Sequence, residues 1–182
     1  MTYTLRCQMI VPVSMLDSFE VFENPRNLAR ITPPSLNLRI LTPEPLSMAL
    51  NARFDFEFRY HGLPFRWSSR ITEYEPPFFF VAGMVKGPYA AWSHKHTFHP
   101  MEEGTLITEE VDYSLPLGWL GRAAHRFSIA RQLKDIFRYR QISLNEILCG
   151  GKAHWTDPVI TEKPPENPPS ETASPETHTR AV

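Results

Sequence analysis

Gly87-Pro88-Tyr89-Ala90-Ala91-Trp92-Ser93-His94-Lys95-His96-Thr97-Phe98 is the stretch from which the rest of the chain can be read. A Gly-Pro turn signal is followed by strict alternation, the period of a β-strand. Trp92, His94, His96 and Phe98 share one face, and Ser93, Lys95, Thr97 and His99 share the other. The charge on Lys95 marks the second face as the wet one. Two imidazoles and two aromatic rings therefore point inward together.

Working outward from it, Glu102-Glu103-Gly104 is a hairpin turn and Thr105 to Leu115 a returning strand. With Met101 to Gly104 as the loop, Phe98 faces Ile107, His96 faces Glu109, His94 faces Val111 and Trp92 faces Tyr113. Directly opposed side chains lie about 4.5–5.5 Å apart at Cβ, so His96 and Glu109 can pair. An inward carboxylate is costly without a partner. The expectation is a semi-buried ion pair that keeps His96 charged, its pKa raised by Glu109. On the other side, Phe78 to Lys86, Leu63 to Tyr74 and Arg53 to Tyr60 read as three more strands. The turns between them are Glu75-Pro76-Pro77 and His61-Gly62. Phe54, Phe56, Phe58 and Tyr60 share one strand face, as do Phe65, Trp67, Ser69 and Ile71.

At the N-terminus, Tyr3 to Val11 alternates as a strand. Ser14, with Asp17 three residues on, resembles a capping box for a short helix carrying Met15, Phe19 and Phe22. Pro25 opens a second short helix through Ile31, and Leu36 to Leu41 is a further strand. After Pro116 the period changes. From Trp119 to Leu148 apolar residues recur at helical spacing, Leu120, Ala123, Phe127, Ala130, Leu133, Phe137, Leu144 and Leu148 among them. That is a helix of about eight turns, ended by Gly150-Gly151. Its Arg122, Arg126, Arg131, Lys134, Arg138 and Arg140 read as a solvated outer face. Residues 1–155 form one domain. Residues 156–182, rich in Pro, Glu, Thr and Ser, read as a disordered tail.

The chain has 182 residues, 42% of them hydrophobic and 21% charged, values ordinary for a soluble globular domain. Its net charge of −1 gives no reason to expect nucleic acid or an acidic membrane as main partner. Two cysteines without a CxxC, Cys7 and Cys149, fit a reducing compartment better than a disulfide framework or zinc site. No signal peptide and no apolar run long enough for a membrane span is evident. A cytoplasmic location is the expectation. No Gly-rich phosphate loop, Gly-x-Ser-x-Gly elbow or Cys-His nucleophile pair appears, and no cofactor is expected. Ser93 and His94 are not a dyad, because successive strand residues face opposite ways.

One strand, two short helices, six strands and a long helix give an α+β protein: a curved antiparallel sheet that the long helix must cover. That order resembles the START-like, helix-grip superfamily (SRPBCC), which includes the birch pollen allergen and the polyketide cyclase/dehydrase group. A bacterial branch of it carries a Gly-Pro, a Trp-x-His-x-His-x-Phe run and a Tyr-x-x-Pro-x-Gly motif. Here these are Gly87-Pro88, Trp92 to Phe98, and Tyr113-Ser114-Leu115-Pro116-Leu117-Gly118. The resemblance covers about residues 3 to 149. It implies a helix-grip fold with a cavity between sheet and helix. One departure is that branch relatives usually carry Asp and Gln where this chain has Ala82 and Met84, which makes its pocket greasier.

The functional expectation is a hydrophobic or aromatic small-molecule ligand: a lipid, isoprenoid, quinone or polyketide-like compound. Its site would draw on Phe54, Phe56, Phe58, Trp67, Met84, Trp92, His94, His96, Glu109, Tyr113 and Phe127. The mouth should lie near Pro116 to Leu120, Pro33-Pro34 and Gly62. The resemblance also allows a cyclase or dehydratase using His96 and Glu109 as proton donor and acceptor. A third reading is a protein-interaction module acting through the basic helix face at Arg131 and Arg138. His94, His96 and Glu109 would also suit a zinc or iron ion.

Overall fold

A computed structural model describes residues 1–60 and 63–163. Alternation makes the strands: β1 (Thr2–Val11), β2 (Arg39–Ile40), β3 (Arg53–Tyr60), β4 (Leu63–Glu75), β5 (Phe79–Lys86), β6 (Ala91–Met101) and β7 (Gly104–Ser114). They form one antiparallel sheet in the order β2-β3-β4-β5-β6-β7-β1. Irregularities at Ser68/Ser69 and Ile71/Glu73 shift the β4–β5 register, and such bulges bend a sheet. The concave face holds the inward aromatics. The turn expected at His61-Gly62 lies outside the described residues.

Helix α1 (Met15–Glu23) starts where Ser14 caps it. The Asp17 amide donates to Ser14 Oγ at 3.1 Å, and Ser14 Oγ donates back to the Asp17 carboxylate at 2.7 Å. The helix buries Phe19 and Phe22 against one end of the sheet. Helix α2 is a single turn, Asn27–Arg30. The strand expected from Leu36 shrinks to Arg39–Ile40, because Pro34–Leu36 forms a 3-10 turn and Asn37 adopts a left-handed conformation.

The long C-terminal helix is present but not regular. It runs as α3 (Gly118–Ala124), a π-helical segment His125–Ile129, and α4 (Ala130–Cys149), closed by Gly150 at φ 57°. Gly121 lies so close to the Pro116 carbonyl that no Cβ would fit, which holds the start of the helix against the end of β7. Gly118 to Cys149 lies across the sheet as the helix-grip arrangement requires.

The boundary set at residue 156 is too early. β8 (His154–Trp155) and β9 (Val159–Lys163) both pair with β1, extending the sheet to nine strands. Val159-Ile160-Thr161-Glu162 has enough β-propensity to add to an open edge, and Thr4, Leu5 and Arg6 of β1 offer one. The rest of the expected tail, 164–182, lies outside the described residues.

Two apolar clusters make the core. One joins Phe19 and Phe22 to Phe54, Phe56, Ile71, Phe80, Phe98, Ile107 and Leu144. The other joins Tyr3, Leu5, Cys7, Val111 and Tyr113 to Leu133 and Phe137 of α4. Each fully buried side chain of this size contributes about 1.5–3 kcal/mol.

Candidate functional site

The space between sheet and helix is not filled. A cavity of about 440 Å³ borders both core clusters. Phe54, Phe56 and Phe58 of β3, Phe65 and Trp67 of β4, and Trp92 of β6 line its sheet side. Ile129, Leu133, Ile136 and Phe137 close it from the helix side, and Val21 and Phe22 at the α1 end. Trp67 and Trp92 meet edge to face at 5.3 Å, a stable arrangement for aromatic pairs. Pro88, Tyr89 and Leu115 also line the cavity, so it reaches the loop before β6 and the start of the helix.

Its polar groups gather at one corner. The β6–β7 register is the one read from the turn: His96 faces Glu109, His94 faces Val111, and Trp92 faces Tyr113. What that reading missed is Arg140. This arginine sits on the inner face of α4, is 8% exposed, and donates from Nε to Glu109 Oε2 at 2.6 Å. Its guanidinium also lies over the Phe22 ring at 5.5 Å. The outer-face assignment of Arg140 is therefore wrong. The signal was available: Leu133, Phe137, Arg140 and Leu144 keep the 4-3-4 spacing of a buried stripe.

Three cation-capable groups thus converge on one carboxylate oxygen. His94 Nε2 and His96 Nδ1 approach Glu109 Oε2 at 3.1 and 3.4 Å. Both nitrogens are buried beside that carboxylate. The His94 and His96 rings lie 3.9 Å apart, and His96 stacks on Phe80 at 4.2 Å.

Charge follows from this crowding. Arg140 is permanently protonated and already neutralises Glu109. Burial favours the neutral acid at Glu109, but Arg140 and His94 outweigh it and hold the carboxyl below its ordinary pKa. Burial pushes the His94 pKa down, and the Glu109 carboxylate only partly opposes it. His96 is pushed down further, by burial first and then by His94 and Arg140. The expected charged His96 is thus overturned. Both imidazoles are neutral near pH 7, because the guanidinium has taken the role assigned to His96.

Of the other anticipated site residues, Phe54, Phe56, Phe58, Trp67, Trp92, His94 and His96 line the cavity. Glu109 lies behind the histidines and is not among the lining side chains. Tyr113 is core, 1% exposed, with its hydroxyl 2.7 Å from His125 Nε2. Met84 does not line the cavity either; its thioether lies against Gly87. Ala82 does line it, opposite His94 as expected. Phe127 is the plain error: it is 82% exposed and points away. Of the residues expected at the mouth, Pro33, Pro34 and Pro116 to Leu120 are not lining side chains, although their neighbours Thr32, Leu36 and Leu115 are, and Gly62 lies outside the described residues.

His94, His96 and Glu109 could present three ligand atoms within 4.8 Å of one another to a metal. The Glu109 oxygen facing the imidazoles is, however, the one Arg140 holds at 2.6 Å. A cation there would sit beside a fixed guanidinium, so the donor set fits a metal poorly.

Among the described residues no helix is long and apolar enough to cross a membrane. Neither a family model nor a curated protein matches the chain. Solved structures do resemble it. Protein CV1439 from Chromobacterium violaceum is 12% identical with a TM-score of 0.62, over 80% of this chain and 96% of that one. TTHA0849 from Thermus thermophilus is 15% identical with a TM-score of 0.62, over 82% and 99%. Major latex-like protein 151 from Panax ginseng is 14% identical with a TM-score of 0.60, over 81% and 97%. At such identities the likeness is one of fold: a curved antiparallel sheet gripping a long C-terminal helix.

Proposed function

We propose that this protein binds a hydrophobic or aromatic small molecule in the cavity between its sheet and α4. The observation that carries the reading is the cavity itself, about 440 Å³ with an aromatic lining and a single polar corner. A cavity of a few hundred Å³ with few, convergent polar groups is what small-molecule sites look like. Affinity would come from apolar burial at about 25 cal/mol per Å². Orientation would come from the corner. Arg140 spends Nε on Glu109 and keeps further N–H groups. With neutral His94 and His96 beside it, the corner suits a carbonyl or hydroxyl oxygen on an otherwise apolar ligand. The likeness to START-like ligand binders, including the branch with the Trp-x-His-x-His-x-Phe run, supports this reading.

A cyclase or dehydratase role for His96 and Glu109 has less support. Glu109 is locked to Arg140 behind the histidines and held ionised, which suits neither delivery of a proton nor contact with a substrate.

Organic extraction of the purified protein followed by mass spectrometry should release an apolar compound. An apolar fluorescent probe should bind in the extracted protein and quench Trp67 and Trp92. Ala82→Phe, which puts a ring into the void, should weaken the probe by at least about tenfold without unfolding the protein. Failure to extract a compound, together with no probe uptake, sinks the reading.

A further inference from the structure

The segment between β7 and α4 carries a second feature that the cavity does not use. Leu117, Trp119, Leu120 and Phe127 are 75%, 68%, 50% and 82% exposed. Scattered exposed apolar residues are ordinary, but four large ones within eleven residues are not. Leu120 of α3 and Phe127 of the π-helical segment both stand in solvent. Trp119, Arg122 and Arg126 follow i, i+3, i+7 spacing alongside them.

Along the chain, the charge beside these side chains is basic. From Leu115 to Lys134 there are four cations, Arg122, Arg126, Arg131 and Lys134, and no acid. Arg122 and Arg126 take part in no ion pair among the described residues. The acid bordering them is Glu162 of β9, across a shallow cleft. The net charge of −1 conceals this patch, which is why composition alone points away from an acidic surface. The residues that flank this segment, Leu115 before it and Ile129 after it, line the cavity.

We propose that Leu117–Phe127 docks the protein on an anionic lipid bilayer, from which the apolar ligand enters the cavity. The second half rests on the ligand reading above; the docking does not. The tips protrude, as suits insertion among lipid headgroups. Trp119 is of the type that favours the membrane interface, and the arginines meet anionic headgroups. A second copy of the chain is a poor occupant, because two such faces would bring like charges together.

Sedimentation of the full chain with vesicles tests this. Binding is expected to vesicles of phosphatidylglycerol mixed with phosphatidylcholine, and to fall steeply with added salt. Trp119→Ser with Phe127→Ser should lower the partition coefficient by at least about tenfold. Replacing Arg122, Arg126 and Arg131 by Gln should lower it about fivefold per charge. All five side chains are exposed or half-exposed, so unchanged circular dichroism verifies that the variants fold. Absence of binding to anionic vesicles overturns the proposal, as does equal binding to pure phosphatidylcholine or binding indifferent to both variants. A dimer that Phe127→Ser dissociates overturns it too, by giving the face another occupant. Probe uptake from solution should survive the Trp119/Phe127 change. Vesicle binding in a protein that takes up no probe leaves the docking standing and removes the delivery.

Discussion

The two parts of the C-terminal helix share one apolar repeat in the sequence and meet different fates in the fold. In α4, Leu133, Phe137, Arg140, Gln141, Leu144 and Asn145 are buried. Before it, Phe127 stands in solvent, and Gly121, His125 and Ile129 turn toward the protein instead. The inner face runs Gly121, His125, Ile129, Leu133, Phe137, in steps of four. Each such step overshoots an α-helical turn by about 40°. The wider π turn at His125–Ile129 absorbs the excess. A helix that keeps regular phase buries its stripe; one that changes phase part-way trades an inward phenylalanine for an inward histidine. His125 then finds a partner in the Tyr113 hydroxyl and stacks on Tyr3 at 3.7 Å.

The sharpest way to break this contrast is at Arg140, the charged member of the buried stripe. Arg140→Met leaves Glu109 ionised and alone behind the cavity, and should cost about 3–5 kcal/mol in urea unfolding. It should also raise the pKa values of His94 and His96, because the guanidinium's repulsion goes and the carboxylate's attraction is unopposed. Combining it with Glu109→Leu should recover part of the loss, since no charge is then buried without a partner. A single-variant cost under about 1 kcal/mol would show that the corner is wetter than its burial indicates.

A smaller effect separates the charge states. His94 and His96 titrate below their ordinary value of 6.5 in the folded protein. Between the lowered value and 6.5, the unfolded chain holds protons that the folded one does not. Stability should therefore fall as pH drops below about 6.5, by up to about 1.4 kcal/mol per pH unit for each histidine. Glu109 adds the same sign further down, its ion pair being lost as pH falls below about 4.5. His125, also lowered by burial, shares the trend, so the comparison needs variants. Unfolding midpoints at pH 7 and pH 5 should draw closer when His94 and His96 are both Gln, with His125 keeping part of the gap. A charged His96 would give the opposite sign, with stability rising on acidification.

The strands from Arg53 to Leu115 and the β6–β7 register were legible, because alternation has a short period and the hairpin turn fixes it. His96 opposite Glu109 followed from that register alone. The charge of the pair did not, because it depends on a residue 31 positions away in sequence. Arg140 was visible only as a cation on an apolar stripe, and cations on helices are usually solvated. The strand at Val159–Lys163 was hidden by the prolines after it, since composition averages over a window longer than the strand. Phe127 was lost for another reason: helical periodicity presumes constant phase, and no residue in His125–Ile129 announces a π turn.

That last miss yields the smallest effect. With its ring in water, Phe127→Ala should change stability by no more than about 0.5 kcal/mol. The same truncation at Phe137, 4% exposed and packed on His94, belongs to the class that costs about 3–5 kcal/mol. Paired urea titrations of the two variants read the phase change directly. Equal losses would mean that Phe127 packs inward and the stripe is continuous through His125–Ile129. A silent Phe127 beside a costly Phe137 places the break where the π turn lies, and leaves that ring free to act on something outside the protein.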